Sequence, residues 1–264
     1  MKTHVTGIKS EFPSTNGKNH KPASFRKVKT SLSAAAAIQA FILIFAAITA
    51  GCTQGGKNAA MNEKIIVLKE ATHKGMSLEE ALKQRRSIRR YSDREMTEAE
   101  LAQLLFSGQG VTGSIRGLNL RTAPSAGATY PMELYAVVNN VEGLTPGIYR
   151  YLPASHSLEL LDSGDFAKAL SAACLGQGSV EKAAVNFVIT AVPVRITGRY
   201  GERSARYVYM EAGHIGQNIL LQATSLGLGG VPIGAFNDRE VNRILSLEED
   251  REITVYIIAV GTRR

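Results

Sequence analysis

Residues 204–236, SARYVYMEAGHIGQNILLQATSLGLGGVPIGAF, constrain this chain more than any other stretch. Val208, Ala212, Ile215, Ile219 and Ala223 recur at steps of three and four. That spacing makes one apolar helix face over four turns. Gly213 and Gly216 lie inside it, each costing a helix roughly 1 kcal/mol relative to alanine. Retained glycines of this kind let another part of the chain come close. Leu226-Gly227 reads as the helix stop. A glycine-rich run, Gly227 to Gly230, then leads into Val231-Pro-Ile-Gly-Ala-Phe236. Pro232 donates no ladder hydrogen bond, so this strand is expected to be short or irregular there. A long core helix followed by a glycine-permitted segment can bring backbone close to a flat ligand.

The rest of the chain is read around that helix. Ser77 with Glu80, and Thr97 with Glu100, are capping boxes opening two helices, the second running to about Gln109. Residues 110–130 read as one long Gly/Ser/Thr loop, a length that usually signals function or disorder. Strands are expected at Met132–Val138, Ile148–Leu152, Leu158–Leu161, Val185–Val192 and Ile253–Val260, with His156 at a hairpin tip. Short helices are expected at Phe166–Cys174 and near 238–245. Two strands are apolar throughout. The pattern implies an α+β domain, a mixed sheet flanked by helices on both faces.

Charge is distributed unevenly. Of the net +8, six units fall in residues 1–51, which hold seven Lys/Arg and one Glu. The basic pI is therefore a property of the leader and does not argue for a nucleic-acid partner. Residues 33–50 carry no charge, and Ala50-Gly51-Cys52 follows. A basic region, an apolar region and small residues before a cysteine make a secretory signal. The ending resembles a bacterial lipobox, which makes Cys52 the expected lipidation site; an uncleaved membrane anchor is the other reading. The expected organisation is signal peptide 1–51, tether 52–74 and globular domain 75–264, exported and held at a membrane on its periplasmic side. Cys52 and Cys174 are the only cysteines. They form no disulfide framework, and no metal site is expected. Cys174 reads as a buried small apolar residue.

Three stretches carry chemistry. Arg85-Arg86-Ser87-Ile88-Arg89-Arg90 puts four guanidinium groups and a hydroxyl at a helix end. Guanidinium forks match phosphate geometry; a solvated basic face is the other reading. Pro124-Ser-Ala-Gly127 offers backbone donors with little side-chain bulk. The Gly227–Gly234 run lacks the strand–GxGxxG–helix order of a dinucleotide fold. His214, in mid-helix, reads as a hydrogen-bonded core residue. Ser87 and Ser125 have no recognisable partner base, so a hydrolase triad is unsupported.

Taken in order, Arg85-Arg-Ser-Ile-Arg89, Ala123-Pro-Ser-Ala-Gly-Ala-Thr-Tyr-Pro131, Gly147-Ile-Tyr-Arg-Tyr151, Glu211-Ala-Gly-His-Ile-Gly-Gln-Asn218 and Gly227-Leu-Gly-Gly-Val-Pro-Ile-Gly-Ala-Phe236 resemble the FMN-dependent nitroreductase superfamily, in its SagB/ThcOx-type branch. The resemblance covers roughly residues 75–264. It implies a homodimeric nitroreductase-like α+β fold binding FMN. Carried over by position, Arg85, Ser87 and Arg89 would meet the phosphate, ribityl chain and pyrimidine edge, with Arg86 beside them. Pro124, Ser125 and Ala126 would approach the flavin of the partner subunit. Pro232, Ile233, Gly234 and Ala235 would line the ring, and Arg263, with Arg264, would lie near the phosphate. Relatives that oxidise peptide azolines use a Lys-Tyr pair before the long helix. Arg199-Tyr200 stands here, which counts against that substrate because arginine does not give up its proton. Tyr200 remains the candidate catalytic residue.

The resemblance thus implies an FMN-dependent oxidoreductase, SagB-type dehydrogenase-like, moving hydride in ping-pong fashion between a donor such as NAD(P)H and an acceptor. The alternatives are a lipoprotein that keeps the fold as a non-redox binding module and a flavin-remodelling enzyme.

Overall fold

The structure, a computed structural model, describes residues 65–70, 75–248 and 250–264. Cys52 and the expected leader lie outside them. The chain divides into Met1–Met61 and Asn62–Arg264, and the fold is that of the second unit. Among the described residues no helix is long and apolar enough to cross a membrane.

In chain order the elements are β1 (Ile65–Val67), α1 (Leu78–Gln84), α2 (Glu98–Gln109), β2 (Val111–Ile115), β3 (Leu118–Arg121), β4 (Met132–Val138), β5 (Gly147–Leu152), β6 (Ser157–Ser163), α3 (Ala167–Ala173), α4 (Gly178–Glu181), β7 (Val185–Ala191), α5 (Val194–Tyr200), α6 (Ser204–Ser225), β8 (Leu228–Ile233), α7 (Asp238–Ile244) and β9 (Ile253–Thr262). Seven strands form one sheet in the order β1-β6-β5-β4-β7-β9-β8. Its ladders are antiparallel. The sheet is therefore antiparallel rather than mixed as expected; parallel pairing occurs among the described residues only at isolated bridges outside the named strands, Ser87 to Gly230 and Met96 to Val141.

Side-chain alternation along the central strands divides the core between the two faces. Leu134, Ala136, Phe187, Ile189, Ile258 and Val260 pack with Leu101, Leu104 and Leu105 of α2 and the apolar face of α6. Tyr135, Val137, Val188, Ile257 and Ala259 pack with Leu170 and Cys174 on one side and Val241 and Leu245 on the other. This helix–sheet–helix arrangement explains why β7 is buried at all seven positions. The free Cys174 thiol is buried in it, and burial pushes its pKa up to about 11.

The long helix forms as its spacing requires. Val208, Ala212, Ile215, Ile219 and Ala223 are all buried. Its two glycines differ. A Cβ on Gly216 would lie 3.1 Å from Tyr256 and Ile258, so this glycine lets α6 settle onto β9, whereas Gly213 faces open space. Thr97 and Glu100 complete a reciprocal capping box. Ser77 accepts from the Glu80 N–H, but the Glu80 side chain turns to Gln84 and leaves that box half made.

Four further expectations need correction. Residues 110–130 are not one loop. They contain the hairpin β2–β3, closed by Arg116 and Gly117, whose φ values of 52° and 78° are those of a two-residue type I′ turn. The strand after α6 begins at Leu228, three residues earlier than expected, and takes in Gly229, Gly230 and Pro232. Pro232 is tolerated because β8 lies at the sheet edge. His214 is exposed rather than a core residue. His156 is half-buried rather than at an open tip: Nδ1 is 2.7 Å from the Tyr151 hydroxyl and Nε2 3.1 Å from the Lys69 carbonyl.

Candidate active site in two halves

The first half is built where the chain leaves α1. Arg85 caps the helix with an extended ψ of 123°, and the next residues run beside β8. Ile88 N–H donates to the Gly230 carbonyl at 3.0 Å. A Cβ on Gly229 would stand 2.6 Å from Ile88 Cγ2, so only glycine lets this segment lie so close. Tyr91 pairs with Arg263 and packs over Gly261, and Arg264 Nε donates to the Tyr91 carbonyl at 2.9 Å. The C-terminus and the arginine run are thereby brought together, although more than 170 residues separate Tyr91 and Arg264 in the chain.

Five arginines gather here, and their charge is not neutralised. Among the described residues, no side-chain hydrogen bond or ion pair engages Arg85, Arg86, Arg89, Arg90 or Arg263. Arg85 and Ser87 are half-buried; Arg86, Arg89 and Arg263 are exposed. Four residues along β8 from Gly230, about 13 Å at the strand rise, the backbone opens at Gly234. A Cβ there would meet nothing, and Gly234 and Ala235 are exposed. Gln177 Nε2 holds the Ala235 carbonyl at 3.0 Å. Ile233 turns its side chain into the core, and Pro232 is half-buried. A dense set of unpaired cationic donors thus opens onto an uncluttered strip of backbone. That combination suits a phosphate-bearing flat ligand such as FMN.

The second half is the segment from Arg121 to Tyr130. Gly127, Ala128 and Tyr130 have φ values of 58°, 53° and 43°. Left-handed backbone at a non-glycine residue costs about 1–3 kcal/mol and persists only where the surroundings over-determine it. Those surroundings are visible. Tyr130 N–H donates to Ser125 Oγ at 2.9 Å, and Arg121 N–H to the Tyr130 hydroxyl at 3.2 Å. The Arg121 guanidinium lies 4.9 Å from the Tyr130 ring centroid and donates to Gln109 Oε1 at 2.5 Å. From α5, Arg199 Nη1 donates to the Gly127 carbonyl at 3.0 Å. A Cβ on Gly127 would lie 2.6 Å from the Tyr200 hydroxyl. Tyr200 packs against Tyr207 at 4.7 Å between ring centroids. From α6, Glu211 approaches Ser125 and Arg121.

The structure therefore sorts the expected residues into two groups. Arg85, Arg86, Ser87, Arg89, Pro232, Ile233, Gly234, Ala235 and Arg263 lie together along β8. Pro124, Ser125 and Ala126 lie with Tyr200 instead. Met132 pairs with Ala191 and Ala191 with Ile253, while Ile233 pairs with Ile257. The Gly234 end of the first group thus points toward the end of the sheet where β4 begins, whereas Ser87 and Arg263 lie toward its other end. β4 and β8 are three strand positions apart, about 14 Å.

Glu211 was absent from the candidates read from sequence. It is 2% exposed, and neither carboxyl oxygen closes a hydrogen bond. Burial pushes its pKa up to about 7, against the opposing pull of the Ser125 hydroxyl and the Arg121 guanidinium. A signal was present in the sequence: Glu211 stands three residues after Val208 and four before Ile215, on the apolar face itself. Among the described residues no group of three or more His, Cys, Asp or Glu side chains is placed to hold a metal.

Known proteins share this sequence pattern and fold. A protein of Methanocaldococcus jannaschii named as a nitroreductase (MJ1384) is 44% identical over 174 residues, 66% of this chain and 86% of its own. The trifolitoxin operon protein TfxC of Rhizobium leguminosarum is 26% identical over 69% of this chain and 54% of its own. The microcin B17-processing protein McbC of Escherichia coli is 28% identical over 52% of this chain and 51% of its own. The chain thus aligns with about half the length of these last two relatives. A solved nitroreductase-like structure from Ralstonia eutropha superposes with a TM-score of 0.66 at 29% identity, covering 76% of this chain and 90% of that one. One from Desulfovibrio desulfuricans, solved in complex with FMN, shares the fold with a TM-score of 0.51 at 21% identity, over 71% and 87% of the two chains. The model of the nitroreductase family matches residues 82–262, a span that includes the arginine run, the strained loop, α6 and the glycine strand. This chain belongs to the nitroreductase family.

Proposed function

We propose that this protein is an FMN-dependent oxidoreductase working as a homodimer. The observation that carries the reading is the set of unpaired arginines beside Ser87, laid along a strand that opens at Gly234. When bound, FMN supplies hydride transfer. Arg85, Ser87 and Arg89, with Arg263 near them, would hold its phosphate and polar edge. Each charge-assisted hydrogen bond there contributes about 1.5–3 kcal/mol. A fixed guanidinium at the pyrimidine edge would also favour the electron-rich reduced form. The exposed backbone of Gly234 and Ala235 would face the ring. In a homodimer, Pro124, Ser125 and Ala126 of one subunit would complete the pocket of the other, and Tyr200 would come with them. Turnover would alternate between an NAD(P)H-type donor and a second compound that takes up the electrons.

Family members related to McbC and TfxC make a SagB-type dehydrogenase role the finer reading. Arg199 limits it. It lies where an azoline-oxidising pair would place lysine, and its guanidinium is engaged with the Gly127 carbonyl. We therefore favour a small-molecule acceptor over a peptide azoline. From the sequence of residues 33–52 we also propose export and lipid anchoring through Cys52; incorporation of labelled fatty acid, lost in Cys52→Ser, would test it.

The deciding experiment is the visible spectrum of the purified protein with its mass in solution. A yellow dimer that bleaches with dithionite and recovers in air is expected. A colourless protein that ignores added FMN would remove the redox reading and leave a binding module with this fold. Arg85→Ala should weaken FMN binding by about 10- to 150-fold; unchanged affinity would overturn the phosphate assignment.

A further inference from the structure

The hairpin β2–β3 stands clear of the body that carries it. Residues 112–119 are all exposed, and two large apolar side chains flank the turn, Ile115 at 59% and Leu118 at 43% exposure. A two-stranded hairpin is marginal in water unless something covers it. Among the described residues, the hydrogen bonds that tie it to the rest of the fold lie at its root. Thr122 N–H donates to the Gly110 carbonyl at 2.9 Å, and Arg121 engages Gln109 and Tyr130. Ile115 lies four residues beyond Val111, about 14 Å from the root at the strand rise. Beside that root is a cavity of about 350 Å³ between α1, α2 and α6. Met76, Leu78, Ala81 and Leu221 give it an apolar lining, and Ser107 and Thr122 border it, so it adjoins the hairpin. It has room for two leucine-sized side chains. Leu78 and Leu82, one turn apart on α1, are exposed as well. Within one chain the two features do not meet: neither Ile115 nor Leu118 lines the cavity.

We propose that this hairpin is an exchanged arm, seating Ile115 and Leu118 in the α1–α6 cavity of a second copy of the chain, whose own hairpin fills the cavity of the first. The proposal rests on the homodimer proposed above. A second copy is the occupant that the surface fits. Projection and cavity are adjacent patches with matching apolar chemistry, the arrangement that a two-fold axis pairs reciprocally. Their charges also match: Arg116 stands at the turn, and Glu79 is exposed beside Leu78. Along α6, Met210, Gly213, Gln217 and Leu221 follow at steps of three and four. One helix face thus runs from exposed Met210, past a glycine whose Cβ would meet nothing, to the cavity. It extends the same surface and leaves room for another backbone. Finally, Pro124 is two residues beyond Thr122. An arm that crosses to the partner carries Pro124, Ser125 and Ala126 with it, as the shared flavin pocket requires.

The test uses the full chain with Cys52→Ser, so that the buried Cys174 is the only native thiol. A chain carrying Leu118→Cys is mixed with one carrying Leu78→Cys and treated with a short bis-maleimide. A covalent heterodimer is expected, and none when the second chain carries Val67→Cys, at an exposed position on the edge strand β1. In parallel, solution mass is followed over a range of concentrations. Ile115→Asp with Leu118→Asp should raise the dimer dissociation constant by about 100-fold or more, and Leu221→Asp, from the cavity side, by about tenfold. A dimer unaltered by these substitutions would overturn the exchange and leave the homodimer standing. So would a missing cross-link, or one formed equally with Val67→Cys. A monomeric wild type would overturn both and leave the hairpin to a different protein. The visible spectrum of the same samples reports the flavin separately, so loss of the cofactor reading is distinguished from loss of the arm.

Discussion

The β8 half of the site and the 121–130 half are assembled by opposite means. Along β8 the chain removes side chains: Gly229 admits Ile88, Gly261 admits Tyr91 and Gly234 leaves open backbone, while the arginines stay unpaired. In the loop the chain adds contacts that hold a strained backbone, with Arg121, Arg199 and Ser125 converging on residues 121–130. One half is open backbone with cationic donors around it, suited to a ligand that brings its own charge. The other is a rigid wall. In the dimer we propose, each pocket takes one half of each kind, and the wall orients what the cradle binds.

Changing pH should separate the halves most strongly. The folded pKa of Glu211 is raised from 4.5 to about 7. Stability from its neutral form is complete below pH 4.5 and is lost as pH rises through about 7. The unfolding free energy of wild type relative to Glu211→Gln should therefore fall across that window, by on the order of 3 kcal/mol. A flat difference in urea melts between pH 5 and 8.5 would show that burial does not raise this acid in the fold. Next in size, Gly229→Ala should destabilise by about 2 kcal/mol through overpacking against Ile88, and Ile88→Ala in the same chain should recover part of that loss. Additive losses in the pair would mean that the two backbones are not held in contact. Gly127→Ala should cost about 1 kcal/mol, because it places a Cβ at positive φ against Arg199 and Tyr200. Its signature is faster amide exchange in 121–130 with the β8 half unchanged. Smallest, Tyr200→Phe should leave FMN affinity within about twofold, since among the described residues no hydrogen bond of its hydroxyl supports the fold. A large fall in turnover at unchanged affinity would give Tyr200 the proton-donating role that its position beside the loop suggests.

How well each half could be read follows from how it is built. The cradle is written in local signals: a run of four arginines and a glycine cluster keep their meaning when read alone. The wall is not. Its loop was misread as structureless from 110 onward because Arg116 gives no turn signal, although it adopts the left-handed conformation beside Gly117. Glu211 was passed over inside a helix pattern that its neighbours satisfied without it, because a periodicity argument counts the apolar positions and ignores the exception among them. His214 was assigned the burial that belongs to Glu211, three residues away on the adjacent face.

The sequence by itself determined the elements whose cause is local: the long helix through its apolar spacing, the capped starts of α1 and α2, the apolar strands, and the residue types able to hold a phosphate. Only the tertiary structure decided which of those residues meet. Tyr91 reaches Arg264, and Arg199 reaches Gly127, because antiparallel registers and glycine-sized gaps bring distant segments together. Pairing across such separations is fixed by packing and burial, which no window of neighbouring residues contains. The same burial turned an ordinary glutamate into an acid poised near neutrality.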